Sequence, residues 1–370
     1  MTGESEARVA PALEEAYANF DLRAEHPAAR KPSVHFAFDF PALLRAFERV
    51  DEEANQHKAR SRQIGMTAIV LVLIALLIAA SEPLLAALGK EASHIAGYAA
   101  AILAILGTGI GLTSLLPGSD RRKWLHNRLQ AESLRLLHFG FIAARLPQLA
   151  EASGKGAEET RYIDERASTL ARLLAEMAAQ TPKAAHEAVQ ELRRGIFASA
   201  KVEDAPVHGE QISPAAADAF IAWRELRLTR QLAYCDAKLE AGLKAGALNP
   251  LRQEKIFSLA GWLCIGAVVL LHLLHLTDSW LHTPTVWLQV AVVWAALITL
   301  ALRALEDGLQ SEREVERYEQ YRANIVVALE RFDGGATMAA KVETMRAFER
   351  MGLEEMRVFL RTHAKSHFLL

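Results

Sequence analysis

Four stretches of this chain contain no Asp, Glu, Lys or Arg: residues 64–80, 95–116, 256–276 and 285–302. A helix needs about 20 mostly apolar residues to cross a bilayer, where every backbone polar group must be satisfied within the segment. Each run is close to that length. The first two are joined through Ser81-Glu82-Pro83 and "LLAAL", the last two through residues 277–284. The pattern predicts an all-α integral membrane protein with four transmembrane helices in two hairpins and a helical cytoplasmic domain. The expected divisions are 1–63 (N-terminal helices), 64–116 (first hairpin), 117–255 (helical region), 256–303 (second hairpin) and 304–370 (C-terminal helices).

Lys and Arg beside the spans set the orientation. Lys58, Arg60 and Arg62 precede the first run, and Arg121, Arg122 and Lys123 follow the second. Arg252 and Lys255 precede the third, and Arg303 closes the fourth. The connection after the first run carries only Lys90, and the one after the third carries neither Lys nor Arg. Both tips are expected outside and both termini in the cytoplasm. Arg121, Arg122, Lys123 and Trp124 then read as an anchor at the anionic inner leaflet, with Trp124 at headgroup depth.

Outside the runs the sequence is rich in Ala, Leu, Glu and Arg, which favours helix. Leu170, Leu173, Leu174 and Met177 share one helix face, Pro182 starts another helix, and residues 201–213 read as a linker. Ser213 is an expected N-cap with Pro214 in the first turn of a helix that ends near Gly246. Val315, Tyr318, Arg322, Ile325, Leu329 and Phe332 recur by threes and fours. That stripe is either a coiled-coil-like seam between copies or one face of an amphipathic helix packed on its neighbours. Charged helix, hairpin and aromatic charged helix occur in that order in both halves, which suggests duplication.

Two clusters in the runs could act beyond spanning. Gly97, Ala101, Ala104, Thr108 and Gly111 form a small-residue stripe, with Gly107-x-x-x-Gly111 in the same half of the second run. Such faces let helices approach closely in lipid, either within one chain or between subunits lining a path. His272, His275, Asp278 and His282 gather near the end of the third run. They read as interfacial anchors, a proton-sensitive mouth or, least specifically, metal ligands, and no metal or cofactor is expected.

Enzyme signatures are missing. "SGKGAEET" lacks the upstream glycine of a phosphate loop, "GTGIG" has no strand before it, and "HEAVQ" lacks a second histidine. The acidic clusters at Asp51–Glu53 and Glu354–Glu355 read as solvated helix faces. With 51% hydrophobic and 23% charged residues and a net charge of −2, no domain is broadly basic, so nucleic acid is not an expected partner. The two cysteines, Cys235 and Cys264, cannot form a disulfide framework.

Directly after the first pair of runs come a basic cluster, Trp124, Arg128, Ala131-Glu132 and Leu134-Arg135. Together with "FERVDEEANQHKARSRQ" before them, "WRELRLTRQLAYCDAK" and "GLEEMRVFLR", they resemble the SLATT superfamily of two-transmembrane proteins, here apparently in tandem. The resemblance implies a non-enzymatic membrane effector of a bacterial antiviral defence system. Such an effector oligomerises and opens a pore or permeabilises the inner membrane on an upstream signal. No fused signalling domain is recognisable, so a separately encoded nucleotide or infection sensor is an expected partner, beside the bilayer and further copies of the chain. The alternatives are a non-conducting membrane scaffold and a constitutive channel or transporter; the spans lack the midplane charge that coupled transport uses.

Overall fold

The computed structural model describes residues 20–113, 119–179, 202–207, 211–240, 249–281 and 286–364. Among them every long element is a helix and none is a strand. After a 3₁₀ turn, Phe20–Leu22, come α1 (Pro32–Phe38), α2 (Pro41–Ala80), α3 (Glu82–Leu88), α4 (Lys90–Thr113) and α5 (Asp120–Ala144). Then follow α6 (Leu146–Ala152), α7 (Gly156–Ala179), α8 (Pro214–Trp223), a π-helical turn (Arg224–Thr229) and α9 (Arg230–Lys238). The chain continues with α10 (Pro250–Leu281), α11 (Val286–Leu309), α12 (Ser311–Gly334) and α13 (Met338–Ala364).

The chain divides into two compact units that interleave in sequence. The first comprises Met1–Asn55, Arg122–Glu240 and Glu316–Ala364. Its core is aromatic: Trp223 packs on Phe332 at 5.4 Å and on Phe348 at 5.9 Å, and the ring of Tyr162 meets Phe36 and Phe141 edge-on. Burying each such side chain contributes roughly 1.5–3 kcal/mol, more than a surface ion pair offers. Ser213 caps α8 as its sequence predicts, its hydroxyl accepting from Ala216 N at 3.1 Å with Pro214 in the first turn. Residues 202–207 are non-helical, in keeping with a linker, yet they are tied down. Ala205 N donates to the Ala144 carbonyl at 3.0 Å, and the guanidinium of Arg346 donates to the Ala205 carbonyl at 2.7 Å. The new helix expected at Pro182 lies outside the described residues.

The second unit comprises Gln56–Arg121, Ala241–Val315 and Lys365–Leu370. Among the described residues, four helices are long and apolar enough to cross a membrane, contributed by α2, α4, α10 and α11 with α12. Consecutive helices α10 and α11 pack together, as do α3 and α4. Ser81 ends α2: its hydroxyl turns back to the Leu77 carbonyl at 2.7 Å, and Pro83 opens the next helix. Gly107 on α4 sits against α2, where a Cβ would lie 2.7 Å from Val72 Cγ2 and 3.1 Å from the Ala68 carbonyl oxygen. α11 meets α2 through Ile69, Ala301 and Ala304, and the Trp294 indole donates to the Leu77 carbonyl at 3.1 Å.

The two halves are not copies in detail. In the first, the charged approach and the apolar run form one uninterrupted helix, α2; in the second they belong to separate helices, α9 and α10.

Candidate functional site

α5 carries its charges on the stripe that also carries its large buried groups. Trp124, Arg128, Ala131, Arg135 and His138 follow one another at helical spacing, so the guanidiniums are directed into the first unit's core. Glu132 bridges two of them, 2.6 Å from Arg128 and 2.5 Å from Arg135. Arg128 also reaches Asp51 of α2 at 2.9 Å, and Asn55 donates to the other oxygen of that carboxylate at 3.1 Å. Arg135 pairs with Asp21 of the 3₁₀ turn at 2.8 Å, and Gln231 of α9 donates to Asp21 at 3.1 Å.

The network continues into α13 through the π-helical turn. Widening the turn over Arg224–Thr229 leaves Leu226, Arg227 and Leu228 all buried, and π turns of this kind recur at functional sites. Arg227 makes a two-pronged pair with Glu349, both contacts at 3.0 Å, and lies 4.0 Å from Asp21. Aromatic faces replace water around the cations: Arg135 lies 4.9 Å from the centre of the Phe47 ring, and Arg227 is 5.0 Å from Phe139 and 5.3 Å from Phe348. Asp21, Arg135, Arg227 and Glu349 are exposed by only 2%, 4%, 4% and 5%.

Three guanidiniums thus face four carboxylates, with Arg135, Arg227, Asp21 and Glu349 in a water-poor interior and Arg128 and Glu132 partly exposed. Burial alone would raise Glu132, but Arg128 and Arg135 outweigh it and hold its carboxyl at about 2. Glu349 goes the other way: burial pushes it up, and Arg227 only partly offsets the push. Such a network adds little net stability over apolar packing, whereas removing one partner strands a charge. Its chemical capacity is positional: it fixes the 3₁₀ turn, α2, α5, the π turn, α9 and α13 in one register.

A second buried pair adjoins it. Arg166 of α7 donates to the carbonyls of Ala37 and, at 2.9 Å, Asp39, closing the end of α1, while lying 4.1 Å over the Phe40 ring. His138 packs its ring against Phe139 at 4.8 Å, and neither ring nitrogen has a hydrogen-bond partner among the described residues. Burial first, then the nearby guanidiniums of Arg166 and Arg227, take it from an ordinary 6.5 to about 3.

Several sequence expectations change here. Trp124 is not a headgroup anchor: it is buried, edge-on to Phe359 at 5.8 Å and to His363 at 5.0 Å. Lys123 is exposed, and Arg121 and Arg122 are half-buried. Much of the Tyr318, Arg322, Ile325 and Leu329 stripe packs within the chain, as the face of an amphipathic helix on its neighbours would. Tyr318 and Ile325 are buried with Phe332, Leu329 packs on the same core, and Arg322 pairs with Asp236 at 2.6 Å. The acidic cluster at Asp51–Glu53 is only partly a solvated face: Asp51 is buried on Arg128, whereas Glu52 and Glu53 are exposed, Glu53 also accepting from Asn127 at 3.1 Å.

The small-residue stripe on α4 also splits. Gly111 is buried and Ala104 half-buried, with Gly107 against α2, whereas Gly97, Ala101 and Thr108 are exposed. Close packing within the chain therefore uses Gly107 and Gly111. On α10, His272 Nδ1 donates to the Val268 carbonyl at 2.8 Å and His275 is half-buried. The side chain of Asp278 and all of His282 lie outside the described residues. No group of three or more His, Cys, Asp or Glu among the described residues is placed to hold a metal ion.

The chain matches no family model, no curated protein and no solved structure.

Proposed function

We propose that this protein is a multi-pass membrane effector. Two hairpins from the second unit lie in the bacterial inner membrane, the first unit and both termini face the cytoplasm, and the assembled spans permit leakage when an upstream signal shifts the first unit. The observation that carries the reading is how little the spans cover one another. None of the apolar window of α10 is buried, and the corresponding shares for the other three are 22%, 17% and 17%. Trp262, Ile105 and Trp287 are each 72% exposed. An uncovered apolar belt of this extent supports burial of these helices in lipid.

The resemblance to the SLATT superfamily adds support from a different direction. Arg128, Glu132 and Arg135, on which it rests, join Asp51, Arg227 and Gln231 from the other resembling stretches in one buried network. A register-fixing network of that kind suits an input element with two packings, on which a ligand or sensor acts through differential affinity. The reading assigns no catalytic step.

Induced expression with an impermeant dye tests it. The account expects growth arrest with dye entry, and dye release from vesicles that carry the purified protein once the activating signal is supplied. Full expression in the membrane without arrest or leakage, together with retention of cytoplasmic proteins on the first unit, would instead mark a scaffold.

A further inference from the structure

A cavity of about 260 Å³ opens in the second unit between α10, the end of α11 and the start of α12. Its apolar wall is formed by Phe257, Trp262 and Leu302, and Gly261 leaves the wall bare, since a Cβ there would meet nothing within 4 Å. Its polar side is formed by Glu254, Arg303, Glu306 and Glu312. Glu254 precedes the apolar run of α10 and Arg303 and Glu306 follow that of α11, so the polar side coincides with one end of both runs. The cavity is thus amphipathic at headgroup depth, a placement that rests on the membrane reading above.

The donor set selects among headgroups. Pockets for anionic lipids are basic; here three carboxylates stand against one guanidinium, which repels a net negative group. A primary ammonium donates three N–H bonds and suits several carboxylates at once, whereas a trimethylammonium donates none. The single guanidinium of Arg303 supplies the fork that a phosphate diester takes. The volume is below the roughly 300–1,000 Å³ of a pocket for a drug-sized molecule. It accommodates a headgroup whose acyl chains stay in the bilayer beside Trp262.

We propose that this cavity binds the phosphoethanolamine headgroup of phosphatidylethanolamine, with its ammonium among Glu254, Glu306 and Glu312 and its phosphate on Arg303. Full-length protein is first floated with vesicles on a density gradient. It is then titrated in detergent with phosphatidylethanolamine, phosphatidylcholine or phosphatidylglycerol of identical chains, and bound lipid is counted by native mass spectrometry. The expected result is at least about tenfold tighter binding of phosphatidylethanolamine than of either other lipid. Arg303→Gln and the triple variant Glu254→Gln, Glu306→Gln, Glu312→Gln lose that preference, and Glu91→Gln on exposed α4 keeps it. Gly261→Leu fills the cavity without changing charge and also abolishes the preference, which guards against misfolding of the charge variants. Soluble glycerophosphoethanolamine, lacking acyl chains, does not compete at equal concentration. Equal binding of the three lipids by protein that floats, or a preference that survives the triple variant and Gly261→Leu, overturns the proposal alone. Protein that fails to float overturns it together with the membrane reading.

Discussion

At the scale of single residues, the charge network makes the sharpest predictions. Arg227→Ala leaves Glu349 buried without its cation, while Asp21 keeps Arg135, and the expected loss is about 3–5 kcal/mol in a denaturant titration. Arg227→Met combined with Glu349→Met removes both charges and is expected to recover most of that loss. If the double variant is as unstable as the single, the cost is lost packing and not a stranded charge. His138 predicts a pH effect. The folded protein keeps the ring neutral down to about 3, while the unfolded chain takes up a proton near 6.5, so the unfolded state binds more protons between those values. Stability therefore falls as pH drops through that window, with a limiting slope on the order of 1 kcal/mol per pH unit. His138→Leu is expected to flatten the slope between pH 6.5 and 4.5; an unchanged slope would assign it to other groups. These residues were only half legible in sequence. The spacing of Trp124, Arg128, Arg135 and His138 on one helix face was available, but charges on an Ala- and Leu-rich helix read by default as solvated. Their partners Asp21, Arg227 and Glu349 come from distant segments that only the tertiary fold joins.

At the scale of elements, the long apolar helices were the most legible part, because an uncharged run of about 20 residues rich in Leu and Ala strongly favours a helix. The partner each face chooses was not legible: hydropathy fixes a helix's environment, whereas helix–helix contact depends on where a missing Cβ permits approach. Gly107 shows the difference. Gly107→Val places a branched side chain where Val72 Cγ2 and backbone already lie within 2.7–3.0 Å of the Cβ position, and is expected to destabilise α2–α4 packing by about 1–3 kcal/mol in thermal unfolding in detergent. Gly109→Ala, with nothing within 4 Å of its Cβ, is expected to leave the midpoint unchanged or slightly higher. Equal effects at the two positions would contradict the packing described. The stripe on α12 was legible as a stripe but not as to its target, since an amphipathic face looks the same whether it meets another copy or its own chain. The π turn left no mark in the sequence, because "AWRELRLTRQLAY" reads as ordinary helix.

At the scale of the molecule, polar segments from three separated parts of the sequence make one unit, and the apolar runs between them make the other. That interleaving ties the apolar-helix and charge-bearing parts to one chain path. Everything functional in the account depends on the apolar helices crossing lipid, with the first unit on the cytoplasmic side. The most direct measurement is labelling of single cysteines by a membrane-impermeant maleimide, in a background with Cys235→Ala and Cys264→Ala. Lys90→Cys, at the start of α4, and Lys155→Cys, just before α7, are both exposed positions. The account predicts that intact spheroplasts label Lys90→Cys and spare Lys155→Cys, and that inverted vesicles show the reverse. Labelling of Lys155→Cys in intact spheroplasts, or of both sites only from the cytoplasmic face, would contradict it.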